Sequence, residues 1–204
     1  MGKIRRGTLL VHGWTGSGPD HWQRWLAERL RARGAPVVFP NLPDEDTPEL
    51  ERWHQALVTA RAELAALGAE EHVILCHSLG AVLWLHHVAR LAAARVATPA
   101  VRTRVLLAAP PSPEAIRAAR VIRGFLPVPL DGEALRRAGH EVALVGSARD
   151  EHDAAGVQAT YGDPLHLRAT ILPAEAGHIN TAAGYGPWPG LEAWWETGAP
   201  LAAA

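Results

Sequence analysis

Lysine is almost absent from this chain. Nineteen of its twenty basic residues are arginine, and the single lysine, Lys3, sits in the amino-terminal tail. A Schiff-base enzyme, a phosphate-cradling loop ending in Gly-Lys-Ser/Thr and a Ser-Lys dyad each need an interior lysine, so those chemistries are excluded. Cysteine is as scarce: Cys76 is alone, which rules out an intramolecular disulfide and any multi-cysteine zinc or iron-sulfur site. An excess of one charge is also missing. A formal net charge of −1 provides no electrostatic footprint for nucleic acid or an anionic membrane, so neither is expected as a partner. Long hydrophobic runs are lacking as well. Behind Lys3-Ile4-Arg5-Arg6 the apolar stretch is only Thr8-Leu9-Leu10-Val11, too short for a signal peptide or a membrane span, and it reads as a strand in a cytoplasmic protein.

What remains is the composition of an ordinary globular chain, with 48% apolar and 20% charged residues among 204, expected to form a single domain over 1–204. Six short apolar runs are bounded by Gly, Pro or polar residues: 8–11, 36–39, 72–76, 104–108, 141–145 and 167–172. Near-continuous apolar runs of this length suit strands covered on both faces. Helical spacing separates them. Asp20 to Arg33 is predicted as a helix with Asp20 as N-cap and Gly34 as stop, and Pro48 to Leu67 as another closed by Gly68. Further helices are expected over Leu79 to Ala94, Glu114 to Arg123 and Leu191 to Trp195, the last behind an ordered loop at Gly184 to Gly190. The alternation predicts an α/β fold, a three-layer sandwich. Its mostly parallel six-stranded sheet has the order 2-1-3-4-5-6 and carries helices on both faces. Pro111 to Glu141 is too short to hold a separate cap domain.

The most informative stretch is His72-Val73-Ile74-Leu75-Cys76-His77-Ser78-Leu79-Gly80. A buried strand ends there and a helix begins at once. A serine on so sharp a turn is held at the tip of the sheet with its hydroxyl exposed, and the residues two before and two after it must be small. Gly80 meets that requirement, while Cys76 stands where a glycine is usual. The plainer reading of Ser78 is a helix N-cap; the strand before it and the helix after it favour the nucleophile.

Serine is unreactive at neutral pH without a base, an orienting acid and donors for the developing oxyanion. His178, in Ala176-Gly177-His178-Ile179-Asn180 beyond the last strand, is the candidate base. The loop after the fifth strand, Arg149-Asp150-Glu151-His152-Asp153, offers Asp150 or Asp153 as the acid. The chain order Ser, Asp, His is the α/β-hydrolase order. Backbone N–H groups of Leu79 and of Trp14, in the loop after the first strand, are the candidate oxyanion donors. Trp14, Phe125 and Ile179 are candidate apolar walls for a small-molecule acyl substrate. Eleven histidines invite a metal reading, but no His-Glu-x-x-His or comparable spacing occurs, so no metal or other cofactor is expected. His12 and His77 are read as structural hydrogen-bonding groups.

In these motifs the chain resembles small α/β-hydrolases of the retinoblastoma-binding-protein-nine type. The likeness runs in register through Leu9-Leu10-Val11-His12-Gly13-Trp14, Gly18-Pro19-Asp20-His21-Trp22, Pro40-Asn41-Leu42-Pro43, the Cys76 to Gly80 turn, Ala109-Pro110-Pro111, Gly124 to Pro129, Ala176 to Asn180 and Gly186 to Pro189. The resemblance implies Ser78 as nucleophile, His178 as base and an acid in the Asp150 loop. Counting forward from Gly146-Ser147 puts that acid on Asp150, with Asp153 the alternative, although the proline that relatives place after the acid is missing. The expected activity is hydrolysis of a small or exposed carboxylic ester through an acyl-enzyme. Peptidase or thioesterase action on the same triad, or a protein-interaction module retaining the fold, are the alternatives.

Overall fold

The computed structural model describes residues 4–97 and 100–201; Lys3 and the outermost ends of the expected 1–204 domain lie outside the described residues. Six strands among them form one sheet: β1 (Arg6–Val11), β2 (Val37–Val38), β3 (Glu71–His77), β4 (Arg102–Ala108), β5 (Glu141–Ser147) and β6 (Ala169–Leu172). The order is β2-β1-β3-β4-β5-β6, with every neighbouring pair parallel. The helices are α1 (Trp22–Ala32), α2 (Leu50–Ala66), α3 (Leu79–Ala93), α4 (Pro113–Ala118), α5 (Gly132–Ala138), α6 (Asp163–Leu165) and α7 (Pro189–Thr197).

The apolar runs of the central strands are continuous because both sheet faces are covered. Successive side chains of a strand point to opposite faces. Leu9, Val11, Ile74, Cys76, Val105 and Leu107 accordingly pack against α2, α3 and α5, while Leu10, Val73, Leu75, Leu106 and Ala108 pack against α1 and α7. The first crossover leaves β1 for the edge strand β2, and the chain then returns past β1 to β3. The β1 and β3 loops therefore diverge at adjacent strand ends, which is where an open parallel sheet leaves a crevice.

Two local expectations differ from the structure, and two further elements lie outside them. The cap of α1 is His21, not Asp20: its Nδ1 accepts the Gln23 N–H at 3.2 Å. The helix expected over Glu114 to Arg123 is broken. Ser112 caps α4 through the Ala115 N–H, Ala119 leaves helical geometry at ψ 97°, and a 3-10 turn follows over Arg120–Phe125. The break turns Ile122 and Phe125 into the core. Helix α5, and the π turn over Gln158–Gly162 that leads into α6, had no counterpart in the sequence reading. Gln158 ties that turn to the start of β6, donating to Leu167 O and accepting from Ala169 N.

Candidate active site

Ser78 occupies the turn between β3 and α3 at φ 52°, ψ −127°, a conformation that non-glycine residues rarely adopt and that costs of order 1–3 kcal/mol. The surroundings hold it there. Its N–H donates to Ala108 O at 2.9 Å and its carbonyl accepts from Ala81 N at 2.9 Å. A side chain at position 80 would press into the carbonyl oxygens of Val11 and His12, and one at position 13 would meet Ser78 Cβ at 2.7 Å. Gly80 and Gly13 thus let β1, the turn and α3 close on one another. Cys76 is fully buried in the core, and that burial pushes its thiol pKa up, away from thiolate chemistry.

His178 reaches Ser78 from the loop after β6. Its Nε2 lies 2.8 Å from Ser78 Oγ, and its Nδ1 lies 2.9 Å from Asp150 Oδ2 and 3.1 Å from Oδ1. A carboxylate can only accept, so Nδ1 carries the proton of the neutral ring and the bare Nε2 faces the hydroxyl. Asp153 faces elsewhere, accepting from Thr160 Oγ1 at 2.6 Å. Burial, together with the charge of Asp150, raises its pKa. Asp150 is thus the acid that meets the histidine.

Several residues that the sequence reading gave no site role, or only a generic one, brace this constellation. His178 sits between two positive-φ residues, Gly177 at 47° and Ile179 at 51°. His77 Nε2 lies 2.9 Å from the His178 carbonyl and Ser147 Oγ 2.6 Å from the Gly177 carbonyl, so both side chains donate to the strained loop. Asp150 Oδ1 also accepts from His152 N at 2.8 Å, and the His152 ring stands edge-on to His178 at 4.4 Å. Gln23, fully buried on α1, donates through Nε2 to Val11 O at 3.0 Å and Leu75 O at 3.3 Å and accepts from Ser17 Oγ at 2.6 Å. It stitches β1 to β3 at the strand ends. The one signal that could have revealed it is a polar residue on the apolar stripe of α1 that includes Leu26, Ala27 and Leu30.

The cleft over Ser78 has a volume of about 380 Å³ and is lined by Trp14, His21, His77, His152, Asn180 and Thr181, among others. Trp14 is the one predicted wall that lies there. Its indole is oriented by an Nε1 hydrogen bond to Asp46 O at 3.0 Å. Phe125 and Ile179 do not line it, and both are fully buried. Phe125 packs edge-on against Trp53 at 5.6 Å on the α2 side. Ile179, at φ 51°, joins the core cluster that packs α1 and α7 on the sheet, and its carbonyl accepts from Trp22 Nε1 at 3.0 Å. The backbone N–H groups of Trp14 and Leu79 donate to no protein acceptor among the described residues.

Burial lowers the pKa of His12, His21 and His77, the last well below the ordinary value, so all three rings are neutral near pH 7. His12 donates Nδ1–H to the Gly13 carbonyl at 2.8 Å. Among the described residues no group of three or more His, Cys, Asp or Glu is placed to hold a metal ion, and no helix is long and apolar enough to cross a membrane.

Comparison with known proteins agrees with this architecture. The YdeN protein of Bacillus subtilis is 34% identical over 71 residues, 35% of each chain, so the match spans about a third of that relative. The crystal structure of the same ydeN gene product superposes with a TM-score of 0.69 at 19% identity, covering 91% of this chain and 93% of that one. A YdeN-like hydrolase from Pectobacterium atrosepticum gives a TM-score of 0.68 at 21% identity over 93% and 89% of the two chains. Est1E from Butyrivibrio proteoclasticus gives 0.58 at 12% over 84% and 79%. At these identities the superpositions establish a shared α/β-hydrolase fold. The family follows from a broader match: a model of the family described as serine hydrolase covers residues 8–196, and the chain belongs to that family.

Proposed function

We propose that this protein hydrolyses small or exposed carboxylic esters through an acyl-enzyme on Ser78. The observation that carries the reading is the continuous chain from Ser78 Oγ through both ring nitrogens of His178 to Asp150, with hydrogen-bond distances of 2.8 and 2.9 Å. His178 Nε2 takes the hydroxyl proton as Ser78 Oγ attacks the substrate carbonyl. Asp150 holds the imidazole in the productive tautomer and stabilises the imidazolium that forms. The N–H groups of Leu79 and Trp14 receive the oxyanion. As the tetrahedral intermediate collapses, the His178 proton passes to the leaving alcohol. Water then enters, gives a proton to His178 and attacks the acyl-enzyme; return of that proton to Ser78 Oγ releases the acid.

Labelling by a fluorophosphonate probe tests the nucleophile directly: the wild-type protein is labelled and Ser78→Ala is not. The same substitution lowers ester turnover by about four to six orders of magnitude. Retention of labelling or of a few per cent of activity sinks the assignment. Aryl esters, aminoacyl amides and acyl thioesters compared side by side then separate esterase from peptidase and thioesterase action, since all three share one acyl-enzyme chemistry.

A further inference from the structure

The cleft over Ser78 has two ends that the order of the strands keeps apart. Strand β1 lies on one side of β3, and β4, β5 and β6 lie on the other. Trp14, an oxyanion donor in the reading above, follows β1, whereas His152 follows β5, and His178, Asn180 and Thr181 follow β6. A leaving alcohol takes its proton from His178 Nε2, so its oxygen must come within about 3.2 Å of that atom. The leaving group therefore occupies the end walled by His152, Asn180 and Thr181, away from Trp14.

That end holds an open donor of fixed orientation. Asn180 is partly buried and lines the cleft two residues after His178. Its Oδ1 accepts the Ala183 N–H at 3.2 Å and so caps the 3-10 turn over Thr181–Ala183. The cap uses only the oxygen and settles which end of the amide carries the N–H groups. Nδ2 makes no hydrogen bond among the described residues, yet it is not sealed by packing as the unpaired His21 Nε2 is, so it stands open to water. The cleft surface as a whole is more apolar than polar. In such a cleft a few placed polar groups set the orientation of what binds.

Building on the acyl-enzyme reading above, we propose that Asn180 determines specificity for the leaving group. Its Nδ2–H donates to an uncharged ether or hydroxyl oxygen of the leaving alcohol, so esters of glycol-type alcohols are favoured over esters of plain alkanols. An alkanol of the same length displaces water from Nδ2 and leaves that donor unpaired, which a site built to pair a polar group penalises. Asn180 takes no part in the proton transfers of Ser78 and His178. Its effect falls on acylation, the step in which the alcohol is present, and not on hydrolysis of the acyl-enzyme after the alcohol has left.

Acetate esters test this, because one acyl group gives one acyl-enzyme whatever the alcohol. 2-Methoxyethyl acetate is paired with butyl acetate, and 3-methoxypropyl acetate with pentyl acetate; within each pair an ether oxygen replaces one methylene. The wild-type protein is compared with Asn180→Asp, which keeps the shape and the capping oxygen and puts an acceptor in place of Nδ2, and with Asn180→Ser, which keeps a capping oxygen on a shorter side chain. Turnover is read as acid release at constant pH, and intrinsic ester reactivity cancels between proteins. The ether-to-methylene ratio of kcat/KM is expected to fall about tenfold in both variants for at least one pair, with fluorophosphonate labelling of Ser78 retained. A ratio that holds in both variants for both pairs, even with all four rates lowered, marks Asn180 as a cap alone and overturns the proposal. So does a fall confined to one variant, which would follow the new charge or the lost volume. Absence of Ser78-dependent turnover of all four esters in the wild-type protein overturns the esterase reading instead.

Discussion

His77 Nε2 lies 2.9 Å from the carbonyl oxygen of His178, so the residue that precedes Ser78 holds the backbone of the histidine that faces it. The two rings are 5.2 Å apart, and His77 is buried and neutral, which leaves it a fixed donor in place of a second base. One hydrogen bond thereby couples the β3 turn to the loop after β6, two segments that arrive at the site from different strand ends.

Replacing that donor should loosen the base without emptying the space. His77→Phe keeps an aromatic ring between His21 and His178 and removes the N–H. We expect kcat to fall by about 10- to 100-fold with KM changed much less, since a displacement of the base of about 1 Å is enough for that loss. Steady-state kinetics on a p-nitrophenyl ester reads the split; an equal change in both constants would argue for a collapsed cleft.

The two aspartates of the β5 loop should separate cleanly. Asp150→Asn presents an amide to His178 Nδ1, favours the wrong tautomer and is expected to lower kcat by about 10³- to 10⁴-fold. Asp153→Asn leaves the His178 contacts in place and touches only the Thr160 hydrogen bond, so kcat should stay within about threefold of the wild type. Full activity in Asp150→Asn would reverse the assignment.

Gln23 gives a prediction about stability. Gln23→Leu leaves Val11 O and Leu75 O without their side-chain donor and Ser17 Oγ without its acceptor. Stranding buried polar groups in this way should cost about 2–4 kcal/mol, read as a lower urea midpoint at unchanged m-value.

Acid should begin to destabilise the fold in the histidine range. Burial lowers His21 to about 4 and His87 to about 3, and lowers His77 well below the ordinary value. Above the unfolded-state pKa of about 6.5 these rings are neutral in both states and contribute no pH dependence. Below it the unfolded chain takes up protons that the folded chain refuses, so stability falls with pH until each folded pKa is passed, near 4 for His21 and near 3 for His87. Each such ring adds a slope of up to about 1.4 kcal/mol per pH unit. Denaturant titrations between pH 7 and 4 should show this fall, and His87→Gln should flatten it by one ring's share.

The order of strands and the place of Ser78 could be read from the chain itself because both rest on local signals: apolar runs of strand length, and a small-residue turn joining a strand directly to a helix. His178 and the Asp150 loop were legible for a related reason, since they follow predicted strands in the hydrolase order. The side of the chain on which a turn residue lands is not local. Ile179 and Phe125 look like apolar walls in a sequence that places both near site loops, yet a positive-φ turn and a 3-10 break point them into the core. His21 and Gln23 pass in the sequence for a loop polar residue and a stripe irregularity, and His77 reads there only as a structural hydrogen-bonding group with no partner named. They acquire roles only when α1, β1, β3 and the His178 loop meet at the crossover, because a hydrogen bond across 101 residues, such as that of His77 to His178, is specified by packing geometry and not by spacing.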